Sequence, residues 1–173
     1  MEDSLSIELA TKLAISNDTT PTLPDDKPKK VKKTLFWGVS LKTEPVHSHK
    51  LVAECLASNP QLVPLKSIHS TLLYVGRKDN TNEPVYEAHV LKKCQVVISG
   101  HGFSANALAL KVDSITFMDD GVIVPSFAEL QHVTLALYAD TKAVDSVKTL
   151  QGEGSIVTYD EPFVLEGTLR RYF

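Results

Sequence analysis

The chain has 173 residues, 43% of them hydrophobic and 23% charged, a composition typical of a globular protein whose core fits one domain. Its formal net charge of −3 argues against salt-driven coating of duplex DNA but is compatible with one nucleotide or RNA end in a local pocket. Two cysteines make no disulfide framework and no apolar run reaches the roughly 20 residues of a membrane span, so we expect an intracellular protein, cytoplasmic or nuclear, without membrane contact.

The first 33 residues differ in character from the rest. Leu5, Leu9 and Leu13 recur at the spacing of one helix face, which predicts a short helix. A run rich in Thr, Pro, Asp and Lys follows, and because it offers little to bury, we expect an extended, mobile linker. Its end, PKKVKK, weakly resembles a basic nuclear-import signal, although a solvated linker is the better interpretation. We therefore predict two regions, a helix and linker over 1–33 and a folded domain over 34–173.

From Thr34 onward, strand and helix patterns alternate. The predicted strands are 34–41, 67–76, 94–100, 105–118, 122–127, 130–138 and 161–173, and the predicted helices are 47–58, 83–93 and 140–150. Asp119-Asp120-Gly121 is predicted to be a hairpin turn. The order predicts an α+β fold, bilobal, with two pseudo-symmetric, largely antiparallel sheets and outer helices.

One short motif occurs twice, each time in a predicted strand. HSTLL begins at His69 and HVTLA begins at His132, so both have the form His-x-Thr-Leu-apolar. Because side chains alternate between the faces of a strand, His69 lies beside Thr71, and His132 beside Thr134. If two lobes pack about a pseudo-two-fold axis, these four side chains converge on one cleft. A single copy is explained by a half-buried histidine beside a strand-favouring threonine, but two copies in the same context are a much stronger signal.

These residue types suit phosphoryl transfer. Opening a cyclic phosphodiester needs a base to activate water and an acid to protonate the departing ribose oxygen on the opposite side of phosphorus. Histidine, with an unperturbed pKa of ~6.5, performs either task near neutral pH. The hydroxyls of Thr71 and Thr134 can donate hydrogen bonds to the non-bridging oxygens and stabilise the charge that develops there. The scheme requires no metal and no cofactor.

The two motifs resemble those of the two-histidine (2H) phosphoesterase superfamily, which carries paired His-x-Thr/Ser motifs on the strands of a bilobal fold. HSTLLYVG (69–76) resembles the first motif of the 2′-5′ RNA ligase-like members. HVTLALYADTKAVDS (132–146) is similar to the corresponding segment in the cyclic phosphodiesterase domains of eukaryotic tRNA ligases, as is ISGHGFSANALALKVD before it. The resemblance covers residues 34–173. Ser70 departs from the expected bulkier apolar residue, which predicts a less buried face there.

The resemblance implies roles for the motif residues. His69 and His132 are the acid–base pair, although which is acid and which is base stays open, and Thr71 and Thr134 bind the substrate phosphate. The implied substrate is an RNA end with a 2′,3′-cyclic phosphate, opened to a 2′-phosphate and a free 3′-hydroxyl in RNA repair or tRNA splicing. RNA ligase and kinase domains, in cis or in trans, are the implied partners of a monomer.

Other side chains are weaker candidates. Tyr74, which follows the first motif in the same predicted strand, is a candidate to stack on a base, with core packing as the alternative, and Trp37 presents the same ambiguity. Lys142 is a candidate phosphate contact. Arg170 and Arg171 point to opposite faces of a regular strand, so at most one of them reaches the cleft.

The remaining histidines have simpler interpretations. His47 and His49 lie at a predicted helix start without a third ligand nearby, so a solvated helix end is favoured over a metal site. His89 is expected on a surface helix. His101 is expected in a loop between two glycines, where facing the cleft is the less favoured option.

Two other functions are compatible with the same motifs. One is a phosphodiesterase for a different substrate, such as 2′-5′ oligoadenylate or another small cyclic nucleotide. The other is a non-catalytic module that holds a nucleotide, which the intact His and Thr at all four motif positions argue against. Substrate choice depends on pocket loops rather than on motifs, so the sequence alone leaves it open.

Overall fold

Strands dominate the fold, as the β-branched and aromatic runs of the sequence predict. A computed structural model describes residues 32–173, apart from Asp79 and the side chain of Glu153, so the predicted N-terminal helix and nearly all of the linker lie outside the described residues. The strands are β1 (Phe36–Leu41), β2 (Val63–Pro64), β3 (Ile68–Tyr74), β4 (Lys93–Phe103), β5 (Ala107–Phe117), β6 (His132–Leu137) and β7 (Ser155–Tyr172). The helices are α1 (Thr43–His47), α2 (Lys50–Ser58), α3 (Pro84–Glu87) and α4 (Asp145–Lys148), and a π-helical turn, Thr149–Glu153, continues α4. Among these helices, none is long and apolar enough to cross a membrane.

The strands hydrogen-bond into one antiparallel sheet that closes on itself. Their order is β2-β6-β3-β1-β7-β4-β5, and β5 also pairs with β6, so the sheet is a closed barrel. β2 and β3 pair with the same edge of β6 at different positions: β2 pairs with Ala136 and Leu137, and β3 pairs with Val133. The predicted α+β class and antiparallel pairing are confirmed. The two separate sheets of a bilobal fold are not confirmed, because the pairings form a single continuous sheet.

The paired parts of β1, β3 and β7 present two chemically different faces. β1 lies between β3 and β7 and pairs with both. Paired residues point to the same face of the sheet, and successive residues along β1 point to opposite faces. We call one face the core face; its fully buried residues include Val39, Ser70 and Leu169. We call the opposite face the cleft face; its residues include Ser40, His69 and Thr168.

The core is a single hydrophobic cluster to which β1 and β3–β7, together with helices α1–α3, contribute. Trp37 of β1 is buried in it and stacks on Tyr86 of α3, with ring centroids 5.6 Å apart. Its Nε1–H donates to Glu83 Oε2 at 3.0 Å. The ambiguity over Trp37 is therefore resolved in favour of core packing.

Several predicted elements are shorter or placed differently. The predicted strand 122–127 is wrong: these residues contribute only an isolated bridge between Ile123 and Thr116, and Pro125 has no N–H to extend a ladder. The turn predicted at Asp119-Asp120-Gly121 is present, because Gly121 adopts a φ of 70° and its N–H bonds to the carbonyl of Phe117 just before the Thr116–Ile123 bridge, while the β4–β5 hairpin turns separately at 104–106. The predicted helix 83–93 reduces to α3, because Leu91 adopts a positive φ of 68° and its N–H joins the sheet at the carbonyl of Leu169.

The ends of the last two predicted elements also differ. Helix 140–150 begins later, at Asp145, and its final turn is π-helical. β7 begins at Ser155 and is 18 residues long, so it pairs with β4 along most of its length and with β1 at its end. Residues Lys32–Phe173 form one compact unit.

Candidate active site

The two His-x-Thr motifs lie on neighbouring antiparallel strands. Ser70 of β3 pairs with Val133 of β6, and Leu110 of β5 holds Val133 from the other side. In an antiparallel pair, the residue before Ser70 lies opposite the residue after Val133, so His69 lies beside Thr134, and Thr71 beside His132. Ser70 and Val133 point to the core face and are fully buried. All four motif side chains therefore lie on the cleft face, as predicted for a convergent site.

The four side chains line one cavity of about 660 Å³. Its other lining residues come from β1, from the segments before β3 and β6, and from α4 with the residues before it: Leu35, Phe36, Leu65, Ser67, Tyr74, Ala128, Glu129, Leu130, Ala143, Val144 and Val147. A cavity of this size falls in the range that binds small ligands. We call this cavity, with its four motif side chains, the cleft.

The cleft is largely apolar and has little charge. Among the described residues that line it, Glu129 is the one charged side chain, and no Lys or Arg is present. Glu129 Oε1 accepts a hydrogen bond from Gln151 Nε2 at 3.0 Å. An anion in the cleft would therefore be bound by hydroxyls and imidazoles, without a permanent cation in the wall.

His69 is packed between aromatic rings. Its ring lies 4.8 Å from that of Phe36, stacked, and 5.2 Å from that of Tyr172. Burial lowers the pKa of His69 below 6.5, and the charge of His132 lowers this pKa further. The neutral imidazole is therefore the favoured form of His69 near neutral pH.

His132 is oriented by the backbone. Its Nδ1 lies 2.9 Å from the carbonyl oxygen of Leu130. A carbonyl oxygen only accepts hydrogen bonds, so Nδ1 carries the proton and donates it. Nε2 is left as the nitrogen of His132 that can exchange a proton with a bound molecule.

Thr134 belongs to a buried chain of hydrogen bonds that the sequence analysis did not identify. Its Oγ1 lies 2.7 Å from Ser146 Oγ, and Ser146 Oγ donates to the carbonyl of Ala143 at 2.6 Å. Because the carbonyl takes the proton of Ser146, Thr134 donates its own proton to Ser146 in this state. Ser146, from α4, is fully buried and thereby orients the hydroxyl of a motif threonine. No motif or spacing in the sequence relates these two residues.

The other candidates have different outcomes. Tyr74 lines the cleft and is 68% exposed, which rules out the core-packing alternative. Lys142 is exposed and does not belong to the residues that line the cleft. Arg171 lies on the Trp37 side of the sheet, where it forms ion pairs with Glu83 and Glu87.

Three sequence interpretations require correction. His101 lies within β4 rather than in a loop, is 5% exposed, and has its Nδ1 2.8 Å from the hydroxyl of Tyr159, outside the cleft. His49 is not a solvated helix end, because its ring stacks on Phe163 at 4.2 Å. Ser70 is fully buried rather than less buried, and its hydroxyl has no hydrogen-bond partner among the described residues. Nor do the described residues include a group of three His, Cys, Asp or Glu side chains placed to hold a metal ion.

Comparison with known proteins gives a likeness of fold. No protein-family model matches the chain, and no curated protein sequence matches it. The fold is similar to that of a fungal RNA kinase. The match to this crystal structure has a TM-score of 0.52 at 13% sequence identity, and it covers 86% of this chain and 47% of the kinase chain. The chain thus spans about half of the structure that it matches, and at this identity the likeness concerns the fold alone.

Proposed function

We propose that the chain is a 2′,3′-cyclic phosphodiesterase that opens cyclic phosphate ends of RNA without a metal ion. The observation that carries this proposal is the Ser70–Val133 pairing, which brings two histidines and two threonines to the wall of one cleft. The distance between the motifs in the sequence is large, so this convergence is a property of the fold. A cyclic phosphodiester carries one negative charge, which hydroxyls and imidazoles can bind without the Lys or Arg that the described part of the cleft wall lacks.

The proposed reaction is one in-line displacement. One histidine takes a proton from water, the water oxygen bonds to phosphorus, and the bond from phosphorus to the ribose 3′ oxygen breaks. The second histidine donates a proton to that departing oxygen, so the product carries a 2′-phosphate and a free 3′-hydroxyl. The hydroxyls of Thr71 and Thr134 donate to the non-bridging oxygens in this scheme. Thr134 then donates to the phosphate instead of to Ser146, and the Ser146 hydroxyl turns from Ala143 to donate to Thr134 Oγ1, which keeps Thr134 in place.

The environments of the two histidines support a division of roles. The lowered pKa of His69 favours the neutral ring, which is the form that accepts a proton from water. The bond from His132 Nδ1 to Leu130 leaves Nε2 as the site for the transferable proton. We therefore assign His69 as the base and His132 as the acid. Repulsion between the two rings also disfavours the state in which both are charged.

The proposed RNA substrate has support at the level of the fold. The similar structure is that of an RNA kinase, and its fold is shared over 86% of this chain. Tyr74 at the cleft mouth offers an exposed aromatic face on which the terminal base can stack. A role in RNA repair or tRNA splicing, with ligase or kinase domains as partners, belongs to this proposal.

The 173-residue chain, in EDTA, can be tested on an oligonucleotide that ends in a 2′,3′-cyclic phosphate. We expect hydrolysis to a 2′-phosphate, identified by mass spectrometry and ³¹P NMR, with a bell-shaped pH dependence that belongs to the coupled histidine pair. A 2′-5′-linked oligoadenylate tested in parallel would reveal the alternative phosphodiesterase. Activity that EDTA abolishes and zinc or magnesium restores would contradict the metal-free mechanism. Binding without turnover would identify a nucleotide-binding module instead.

The roles of the two histidines can be tested with the leaving group. His69→Ala and His132→Ala should each lower kcat by ~10²–10⁴-fold, and the double variant should be little worse, because both act in one step. Thr71→Ala and Thr134→Ala should cost ~10²–10³-fold. A substrate whose departing oxygen needs no proton should restore activity to His132→Ala and leave His69→Ala inactive. Equal rescue of both variants would refute the assignment.

A further inference from the structure

The cleft face continues beyond the cleft as a row of polar side chains. His69 pairs with Ser40 of β1, Ser40 pairs with Thr168 of β7, and Thr168 pairs with Lys93 of β4. Paired residues on neighbouring strands point to the same face, so these four side chains form one line across the sheet. Lys93 lies about 14 Å from His69, because neighbouring strands are ~4.8 Å apart.

Arg170 lies beside this row, on the same face. Gly38 of β1 pairs with Thr71 on one side and with Arg170 on the other. Because glycine has no side chain, no side chain of β1 lies between Thr71 and Arg170. Tyr172, two residues further along β7, stacks on Phe36, whose ring also stacks on His69. Burial raises the pKa of Tyr172, while the Ser40 hydroxyl and the charge of Arg170 oppose that rise, as expected if both lie near the phenol. Arg170 therefore lies next to the aromatic rings of Phe36 and Tyr172, which pack on His69.

Arg170 and Lys93 form no ion pair with the carboxylates of the described residues. Lys92 and Arg171, their neighbours in sequence, point to the other face and form ion pairs with Asp119 and with Glu83 and Glu87. Among the described residues, neither Arg170 nor Lys93 forms an ion pair, and Lys93 Nζ donates instead to Thr168 Oγ1 at 3.1 Å. Both residues are exposed. The nearest acidic residue along β7 on this face is Glu166, which pairs with Gln95 and limits the basic surface on that side.

We propose that this surface, formed by Ser40, Lys93, Thr168 and Arg170, binds the single-stranded RNA that precedes the cyclic phosphate end. The inference rests on the proposed function and specifies its substrate: an oligonucleotide rather than a free nucleotide. Because the residues that line the cleft within 32–173 include no Lys or Arg, we expect attraction for the RNA backbone to come from outside the cleft. Arg170 and Lys93 provide two cations for backbone phosphates, and the hydroxyls of Ser40 and Thr168 provide donors and acceptors for phosphate and ribose oxygens between them.

The test compares a short oligonucleotide ending in a 2′,3′-cyclic phosphate with the corresponding cyclic mononucleotide. We expect a higher kcat/KM for the oligonucleotide. Arg170→Gln and Lys93→Gln should lower kcat/KM for the oligonucleotide more than for the mononucleotide. Each lost phosphate contact should also reduce the slope of log(kcat/KM) against log[salt] by about 0.7 for a single strand. Lys50→Gln is the matched control, because it also removes one positive charge, at an exposed position of α2. It should leave the ratio of the two kcat/KM values unaltered.

Failure of this inference and failure of the proposed function give different results. If the mononucleotide and oligonucleotide are hydrolysed with the same kcat/KM, or if the two variants leave their ratio and the salt slope unchanged, the RNA surface is refuted and the phosphodiesterase stands. If neither substrate is hydrolysed, the phosphodiesterase is refuted. Fluorescence anisotropy with a labelled oligonucleotide ending in a 3′-phosphate then decides the surface. Weaker binding by Arg170→Gln and Lys93→Gln supports it, and binding equal to that of Lys50→Gln overturns it.

Discussion

At the scale of single residues, His69 has two separable reasons for its lowered pKa. Burial is the larger, and the charge of His132 is the smaller. Replacement of His132 by Gln removes the charge while keeping a side chain of similar size, so the pKa of His69 should rise but stay below 6.5. NMR titration of the His69 ring protons measures this shift. An unchanged or lower pKa in His132→Gln would contradict the electrostatic contact between the two motifs.

Ser146 offers a test of how a motif threonine is oriented. Ser146→Ala removes the hydroxyl that holds Thr134 Oγ1 while Thr134 donates to the phosphate, so Thr134 loses its fixed orientation. We expect kcat/KM to fall about fivefold, the equivalent of one net hydrogen bond of ~1 kcal/mol. Because Ser146 acts through Thr134, the double variant Ser146→Ala/Thr134→Ala should be no worse than Thr134→Ala alone.

A matched control for this experiment lies nearby. Ser104 and Thr149 form another buried hydroxyl pair, also 2.7 Å apart, without contact to a motif residue. Ser104→Ala should lower the free energy of unfolding, measured with urea, by about as much as Ser146→Ala does. It should have little effect on kcat/KM. Equal losses of kcat/KM in Ser104→Ala and Ser146→Ala, or additive costs with Thr134→Ala, would reduce Ser146 to a purely structural role.

Residue-level prediction from sequence succeeded where the signal was local. The His-x-Thr repeat identified the four side chains that meet in the cleft, since alternation along a strand depends on adjacent residues alone. Ser146 escaped prediction because its role depends on how α4 packs over β6. His101 was assigned to a loop because its flanking glycines resemble a turn, whereas Gly100 and Gly102 lie within β4, where added Cβ atoms would collide with Val157 and with Leu150.

At the scale of elements, the register of β3 and β6 determines the site. A shift by one residue would exchange Ser70 and Val133 with the motif side chains and turn the imidazoles toward the core. The hydrophobic pattern favours the observed register, because Ile68 and Leu72 share the core face with Ser70. Closure of the sheet through β5 and β6 could not be predicted in the same way, since strand patterns specify faces but not distant pairing partners.

His101 of β4 is buried, and both it and His49, which precedes α2, contact Tyr159 of β7. Burial lowers the pKa of His101, and the charge of His49 lowers it further, while Tyr159 binds Nδ1 of His101. The unfolded chain, with a His pKa of ~6.5, therefore binds more protons than the folded chain just below that pH. The stability contributed by this site is complete above about pH 7.5 and is lost as the pH falls below ~6.5.

Urea unfolding at pH 7.5 and at pH 5 tests this contribution. We expect the free energy of unfolding of the natural chain to fall between the two conditions. The fall should be smaller in His101→Gln, because Gln can still bind Tyr159 but does not titrate. An equal fall in both proteins would show that His101 does not contribute to the acid sensitivity.

At the scale of the whole molecule, charge is distributed unevenly. A net charge of −3 argued against broad binding to nucleic acid, and that argument holds for the surface as a whole. It does not describe the cleft face, where Arg170 and Lys93 form no ion pair within residues 32–173, while their neighbours in sequence are neutralised on the other face. Strand alternation thus places Lys93 and Arg170 on one face of the sheet, and their sequence neighbours Lys92 and Arg171 on the other. Composition alone cannot reveal such a separation, because it contains no information about which face of a strand each residue occupies.

The last prediction concerns the boundary of the folded domain. A chain beginning at Lys32 should keep its stability and its kcat on a cyclic mononucleotide, because residues Lys32–Phe173 form a compact unit. A chain beginning at Phe36 is the informative control. It lacks Leu35, which lines the cleft, donates to the carbonyl of Tyr172 at 2.7 Å and accepts from the N–H groups of Val75 and Gly76. Each lost bond costs about 0.5–1.5 kcal/mol, so the shorter chain should be clearly destabilised and less active. Urea unfolding and steady-state kinetics on both chains measure the difference, and a large loss already at Lys32 would show that the first 31 residues stabilise the domain.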